Sequence, residues 1–342
     1  MVEFVFSQEV IQRKYPCNGM SVAEWKAQGE PNLYLGIVYI CIGIIFIILY
    51  IPAIIVLSTK NLLENSCYKI MLFLSYIDIL TLITVAVITG FFTISGEVYC
   101  SNQMFILYTG VISMFGWNVA CFLCLVLAFN RCLDLCSSSV WNFLFEGKRT
   151  LTWIFAAISY GTYTSLFNNA IFFTKSSAWL FNPFYLITVK NFTIGIDYYN
   201  YLEAVNNVVE VVGLSTMYGI FIIMLFCQFK KTSNVYKLSS PQKSLLIQTT
   251  LTCSVSMVTA TLYVIMNFFI VTEWLIILGQ LTWQLSHCCG AISLTLCNKT
   301  IRTHIFNDLF PNSFKNYFGN KTAVKHKSLI KITIQKNTTK HP

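Results

Sequence analysis

Charged side chains are scarce in this chain of 342 residues: Asp, Glu, Lys and Arg together make up 11% of it, whereas 56% of the residues are hydrophobic. An ordinary soluble domain carries about a quarter charged residues, so this composition excludes a cytosolic enzyme. Proline is also rare, with 7 residues, and aromatic residues reach 15%, which excludes a disordered or collagen-like chain. The composition therefore predicts a polytopic membrane protein.

Seven stretches are almost free of charge and long enough to cross a bilayer, which requires about 20 apolar helical residues. None shows the alternating pattern of an outer-membrane strand, so backbone polar groups must be satisfied within helices. The sequence thus predicts an all-α bundle of seven transmembrane helices. The predicted spans are 33–57, 70–95, 104–129, 151–173, 205–229, 245–271 and 275–297.

The distribution of positive charge predicts the orientation of the bundle. With the N-terminus outside, eighteen of the 23 Lys and Arg residues fall in cytoplasmic segments, as the positive-inside rule favours. This orientation divides the chain into an extracellular segment 1–32, the bundle 33–297, an interfacial amphipathic helix 298–311 and a disordered basic tail 312–342. The net charge of +9 then reflects orientation, and we expect no nucleic-acid partner.

The same topology sorts the sequons and cysteines. Of four Asn-x-Ser/Thr sequons only Asn191 lies on the outer side, so a glycan is expected there. Most of the 13 cysteines lie within spans or on the reducing cytoplasmic side. Only Cys17 and Cys100 face the oxidising side. A disulfide between them is the favoured interpretation, and two free thiols or bonds to another molecule are the alternative.

One aspartate is predicted deep within a span, where an ionisable group is costly and often functional. Asp78 lies nine residues past Lys69, about 13 Å into the membrane at 1.5 Å per residue. It is a structural hydrogen-bond hub, a sodium- or proton-sensitive switch, or both. His287 in the seventh span lies at a similar depth, so we predict that the two side chains interact across the bundle.

Other polar residues in the seventh span are candidates to line a ligand pocket. Gln280, Gln284 and His287 follow one another at helical spacing, so they share one face of the span, and Trp283 lies beside them. For His287 a satisfied position in the core is favoured over contact with a ligand.

The third and fifth spans supply three more pocket candidates. Trp117 and Asn118 lie in the middle of the third span, where an amide in lipid must find a partner. Glu210 lies in the outer part of the fifth span. It either lines an extracellular pocket or lies at the outer membrane–water interface.

Several motifs of other protein classes are missing. No lysine occurs in the seventh span, which excludes a retinal Schiff base, and no HExxH, GxSxG or Walker motif appears. The sequence therefore predicts neither an enzyme nor a bound cofactor. Transporters with broken helices usually have more Pro and Gly interruptions and internal repeats. A channel or transporter of seven-helix topology is kept as the alternative function.

Two short motifs point to a receptor family. Asn130-Arg131-Cys132 ends the third span, where rhodopsin-like receptors carry an acid-Arg-aromatic triplet, and Leu74 to Asp78 supply a matching L-x-x-x-D. From about residue 15 to residue 310 the chain resembles the nematode serpentine receptors of class T, which are chemosensory seven-helix receptors. Four segments carry this resemblance: PNLYLGIVYICIGIIFIILYIP, SCYKIMLFLSYIDIL, LFEGKRTLTW and LTWQLSH followed by NKTIR.

The resemblance implies a G-protein-coupled receptor of rhodopsin-like architecture in the plasma membrane, in the cilia of sensory neurons. Its partners would be a small-molecule ligand and a heterotrimeric G protein. Arg131 would be the inner-end residue whose contacts change on activation, and Asp78 the polar hub. Asn130, however, cannot form the usual carboxylate–Arg pair, and the Trp-x-Pro and Asn-Pro-x-x-Tyr motifs are missing. A heteromeric receptor subunit without its own ligand is a further alternative.

Overall fold

The long uncharged stretches form helices in the structure, a computed structural model that describes residues 3–136, 138–187, 198–231 and 240–309. Within these residues six helices are long and apolar enough to cross a membrane: Leu33–Leu57, Ser66–Ser95, Gln103–Asp134, Tyr201–Met224, Thr250–Phe268 and Glu273–Cys297. A further helix, Arg149–Leu166, packs against the third of them. The predicted all-α membrane bundle is confirmed.

The helices are numbered in chain order. They are α1 Gln8–Lys14, α2 Val22–Lys26, α3 Leu33–Leu57, α4 Ser66–Leu82, α5 Thr89–Ser95, α6 Gln103–Cys136, α7 Ser138–Phe145, α8 Arg149–Leu166, α9 Tyr201–Lys231, α10 Ser240–Phe268, α11 Glu273–Ile292 and α12 Lys299–His304. The π-helical segment Ile83–Ile88 joins α4 to α5, and two others, Ser293–Cys297 and Ile305–Leu309, follow α11 and α12.

Asparagine side chains cap the start of several helices. Asn65 Oδ1 accepts a hydrogen bond from Cys67 N at 2.9 Å, and Asn200 Oδ1 accepts one from Glu203 N at 2.9 Å. These caps begin α4 and α9 four residues before the predicted starts at 70 and 205. The prediction placed the starts too late, because it took stretches almost free of charge, which begin only after Lys69 and Glu203.

The predicted fourth span, 151–173, is wrong at its end. Helix α8 ends at Leu166, and the chain turns into an antiparallel hairpin of β1 Phe172–Phe173 and β2 Trp179–Leu180. The side chains of both strands are buried. A buried hairpin is as apolar as a lipid-facing helix, so composition could not distinguish the two.

The hairpin and the N-terminal segment cover one end of the bundle, which we call the N-terminal end. Cys17 is bonded to Cys100 there, with 5.5 Å between the Cα atoms. Trp25 is buried and its indole N–H donates to the Cys17 carbonyl at 2.9 Å, while the Tyr15 ring lies 4.6 Å from that of Phe172. Residues 3–32, predicted only as an extracellular segment, are therefore folded onto the bundle.

The outer surface of α3 shows why the helices carry little amphipathic pattern. Ile44, Ile45 and Ile48 are each about half exposed, whereas Tyr39 and Tyr50 on the opposite side are fully buried. A helix that is apolar all round fits a membrane, because lipid replaces water on its outer face. The few polar side chains are left to the interior, where they form the sites described below.

Candidate functional site: a polar core and an aromatic pocket

Asp78, His287 and Tyr50 form a buried polar triad between α3, α4 and α11. His287 Nδ1 lies 2.7 Å from Asp78 Oδ1, and the Tyr50 hydroxyl donates to Asp78 Oδ2 at 2.6 Å. All three residues are less than 5% exposed. The structure thus brings together the two residues that the depth argument paired. It adds Tyr50, a tyrosine in the apolar run of α3 that sequence reasoning missed.

The protonation of Asp78 is linked to whether the Tyr50 hydroxyl donates its hydrogen bond to Asp78 or to a backbone carbonyl. The Tyr50 hydroxyl also lies 2.8 Å from the His287 carbonyl oxygen, which can only accept. When Tyr50 donates to that carbonyl, Asp78 must carry a proton to bond Tyr50. When Tyr50 donates to Asp78, an ionised carboxylate suffices. The arrangement can therefore sense the protonation of Asp78.

A glycine makes room for this triad. A Cβ on Gly290 would lie 2.2 Å from the Tyr50 hydroxyl oxygen and 2.9 Å from Asp78 Oδ2. Both distances are too short for a real contact, so any larger residue would push the hydroxyl and the carboxylate apart. The triad thus depends on a position without a side chain in α11.

Two glutamines of α11 bind one backbone carbonyl. Gln280 Nε2 donates to Val85 O at 2.8 Å and Gln284 Nε2 donates to the same oxygen at 2.9 Å. Val85 belongs to the π-helical segment Ile83–Ile88, and a carbonyl oxygen has two lone pairs for two donors. These two pocket candidates therefore hold α11 against the π-helical segment.

Aromatic side chains form the centre of a narrow cavity on the N-terminal side of the triad, which we call the recess. The ring centroids of Trp117 and Trp283 are 6.3 Å apart, and those of Tyr263 and Trp283 are 5.3 Å apart. The recess measures about 10 Å³, room for about one water molecule. It is also lined by Met114, Ile171, Phe181, Glu203 and Thr259.

A wider cavity of about 460 Å³, which we call the vestibule, shares Phe181 and Tyr263 with the recess. Its walls come from the hairpin, the residues just before α9, the end of α10, the following turn and α11. They include Leu180, Tyr198, Asn267, Phe268 and Ile276. A volume of this size suits a small organic molecule. The vestibule and the recess together form the aromatic pocket.

Glu203 is a second residue of the site that sequence reasoning missed. It is 5% exposed and lies beside Trp117 and Asn118. The predicted span began at 205 and left it outside. The signal for its position was the Asn200 cap, because an Asn followed three residues later by Glu marks a helix start.

The other predicted pocket residues of α6 and α9 have separate contacts. Trp117 Nε1 donates to Asn207 Oδ1 at 2.9 Å. Asn118 is fully buried and its amide atoms have no well-formed hydrogen bond. Glu210 Oε2 accepts from the Cys121 thiol at 2.8 Å, and Glu210 lines neither the recess nor the vestibule.

The residues around Arg131 lie at the opposite end of α6. Asn130 Nδ2 donates to Ser66 Oγ at 3.2 Å. Arg131 Nη1 lies 3.6 Å from Asp134 Oδ2, one turn further along the same helix. Asp134 therefore supplies the carboxylate that position 130 lacks. Two expectations fall outside the described residues: the sequon at Asn191 and the tail 312–342.

A bundle of membrane helices with Arg131 near the end of its third long helix and a pocket near the other end is the arrangement of a seven-helix receptor. The family described as serpentine type 7TM GPCR chemoreceptor Srt matches residues 1–318. The chain belongs to this family, and α8 is accordingly the span that completes the seven. The resemblance to serpentine receptors of class T is confirmed, and the family is one of receptors.

A curated relative agrees with this assignment. The chain is 27% identical over 294 residues to serpentine receptor class T-55 of Caenorhabditis elegans. The matched region covers 84% of this chain and 78% of that protein. The similarity therefore extends over most of both chains.

Proposed function

We propose that this protein is a chemosensory G-protein-coupled receptor that binds a small molecule in its aromatic pocket and signals to a heterotrimeric G protein at the opposite end. The observation that supports the proposal is that α6 extends from the aromatic pocket to the opposite end of the bundle. This one helix contributes Trp117 to the recess and Arg131 to the opposite end. Arg131 follows Trp117 by fourteen positions, which correspond to about 21 Å of helix.

The mechanism is a shift between two arrangements of the bundle. A ligand that binds one arrangement better shifts the equilibrium by its difference in affinity. In this structure Arg131 lies beside Asp134, and in the active arrangement we expect it to be released toward the G protein. The Asp78 triad lies between the two ends, so its hydrogen bonds would change as α4 and α11 move.

The orientation that we propose places the N-terminal end outside the cell. A Cys17–Cys100 disulfide supports this orientation, because such bonds persist in an oxidising compartment, and the charge distribution favours it. The segment 298–311 would then lie at the cytoplasmic interface, where Ile301 is buried against the bundle. The receptor would reside in the plasma membrane, in the cilia of sensory neurons.

The orientation can be tested with the sequon at Asn191. In cells that glycosylate secreted proteins, we expect a glycosidase-sensitive shift in electrophoretic mobility that Asn191→Gln abolishes. Asn320→Gln, in a sequon placed inside by the same topology, is the matched control and should change nothing. A glycan at Asn320 would contradict the proposed orientation.

The signalling function is tested by a screen of small molecules in cells that express this chain, with nucleotide exchange on the G protein as the readout. A response that Arg131→Ala abolishes at unchanged surface expression would support the proposal. Ion conductance or solute uptake by the purified protein in liposomes, without nucleotide exchange, would favour the channel or transporter. A response that requires a second receptor chain would favour a heteromeric subunit.

A further inference from the structure

We propose that the recess at Glu203 is a subsite for a cation, namely the ammonium group of an amine whose apolar body occupies the vestibule. The inference rests on the proposed function, because it names the chemical class of the ligand for the same pocket. It assigns Glu203 as the counter-ion and the surrounding rings as the walls that exclude water.

The first argument is the unmatched carboxyl group. Glu203 is 5% exposed, and no Lys, Arg or His side chain in the described part of the chain forms an ion pair with it. Its side-chain neighbours are the neutral Asn118 and Trp117. A buried carboxylate without a cationic partner is costly, and a bound cation removes that cost.

The second argument is the chemistry of the recess walls. Trp117, Tyr263 and Trp283 surround it with aromatic rings, and a cation is attracted to the face of such rings, Trp best of all. The Tyr263 hydroxyl is buried without a hydrogen-bond partner, and its oxygen can accept from an ammonium N–H. Room for about one water is also the room that an ammonium group needs.

The third argument is the continuity of the two cavities. Phe181 and Tyr263 line both of them, so a molecule with its charged end in the recess extends directly into the vestibule. The vestibule wall is rich in Tyr and Phe side chains, which favours an aromatic or aliphatic body. A primary arylalkylamine has both parts.

Glu210 provides a matched comparison on the same helix. It is also a buried glutamate, two turns after Glu203, but its Oε2 is engaged by the Cys121 thiol. It lines neither cavity. A buried carboxyl group in α9 is therefore not sufficient for the proposed subsite, and Glu210→Gln is the control for Glu203→Gln.

The experiment measures binding to the purified full-length receptor in lipid nanodiscs by quenching of tryptophan fluorescence. The probes are 2-phenylethylamine, the neutral 2-phenylethanol and the anionic phenylacetate at up to millimolar concentration. We expect the amine to bind at least about tenfold more tightly than the other two, a difference of about 1.4 kcal/mol. Glu203→Gln should weaken amine binding about tenfold or more, Glu203→Asp should retain part of it, and Glu210→Gln should leave it unchanged.

Thermal unfolding of each variant shows whether it is folded. If Glu203→Gln does not fold, the shorter carboxylate of Glu203→Asp still tests whether amine binding depends on the carboxyl group at this position. Equal binding of 2-phenylethanol, amine binding that survives Glu203→Gln, or no amine binding would each overturn the proposal. The assay needs no G protein. Glu203-dependent amine binding without nucleotide exchange would support the subsite and contradict the proposed function. Arg131-dependent nucleotide exchange driven by a neutral compound, without amine binding, would support the proposed function and contradict the subsite.

Discussion

His287 Nδ1 lies 2.7 Å from Asp78 Oδ1, although 209 residues separate them in the chain. This contact joins α11 to α4 in the interior of the bundle, and Tyr50 adds α3 to the same network. Three helices are thus connected at one polar point surrounded by apolar side chains. Such a point fixes the relative position of the helices, because any shift would leave a buried polar group without its partner.

The Asp78–His287 contact should appear as coupling in a double-mutant cycle. We expect Asp78→Ala and His287→Ala each to destabilise the purified receptor. The double variant should be only slightly less stable than the less stable of the two single variants. The coupling should be about 0.6–1.7 kcal/mol, the range of interhelical hydrogen bonds in membranes. Unfolding in detergent measures it, and the distant pair Cys41→Ala with His287→Ala should be additive. Additivity of the Asp78 pair would contradict the contact.

The two glutamines that share the Val85 carbonyl should compensate for each other. Gln280→Met or Gln284→Met leaves one donor on that oxygen, so each should cost about 0.6 kcal/mol or less. The double variant removes both side-chain donors, and we expect a loss clearly larger than the sum. Thermal unfolding of the three variants provides the measurement. A strictly additive result would show that the glutamines act independently.

Loss of the Cys17–Cys100 disulfide should loosen the folded N-terminal segment. Removing a bond that closes an 83-residue separation should cost about 2–4 kcal/mol. Cys17→Ser, Cys100→Ser and the double variant should be equally destabilised, because each lacks the same bond. Hydrogen exchange at residues 3–32 should rise in all three, while Cys41→Ser, which removes a free thiol, should match the parent. A larger effect in the double variant would indicate separate roles.

Release of Arg131 should raise basal signalling. Asp134→Asn removes the carboxylate at 3.6 Å. Because Asp134 is half exposed, the pair contributes at most about 1 kcal/mol, so basal nucleotide exchange should rise no more than about fivefold. Asp134→Glu should stay close to the parent, and Glu64→Gln, which neutralises another exposed acid, serves as the control. Unchanged exchange in Asp134→Asn would show that this pair does not hold the inactive arrangement.

Much of the fold could be predicted because apolar runs of about 20 residues have few alternatives in a bilayer. The errors fall where the chain leaves the membrane. The run after Leu166 is apolar because the hairpin of Phe172 and Trp179 is buried under the N-terminal segment, not because it crosses lipid. The start of α9 was misplaced because its first turn contains the charged Glu203.

The candidate site was predictable only in part. Helical spacing placed Gln280, Gln284 and His287 on one face, and depth paired His287 with Asp78. Neither kind of reasoning could show that both glutamines bind one carbonyl, since the π-helical segment that presents it has no clear sequence signal. Glu203 was missed for a related reason: its burial depends on helices that are distant in sequence.

The sequence by itself determined the class of protein, the helical architecture and the family, because hydropathy and local motifs are properties of contiguous residues. Only the tertiary structure decided which polar groups meet. The proximity of Asp78, Tyr50 and His287 and the unpaired carboxyl group of Glu203 in an aromatic pocket arise from packing between helices far apart in the chain. In a membrane these contacts depend on close packing of complementary helix surfaces. This packing cannot be predicted from the amino-acid composition.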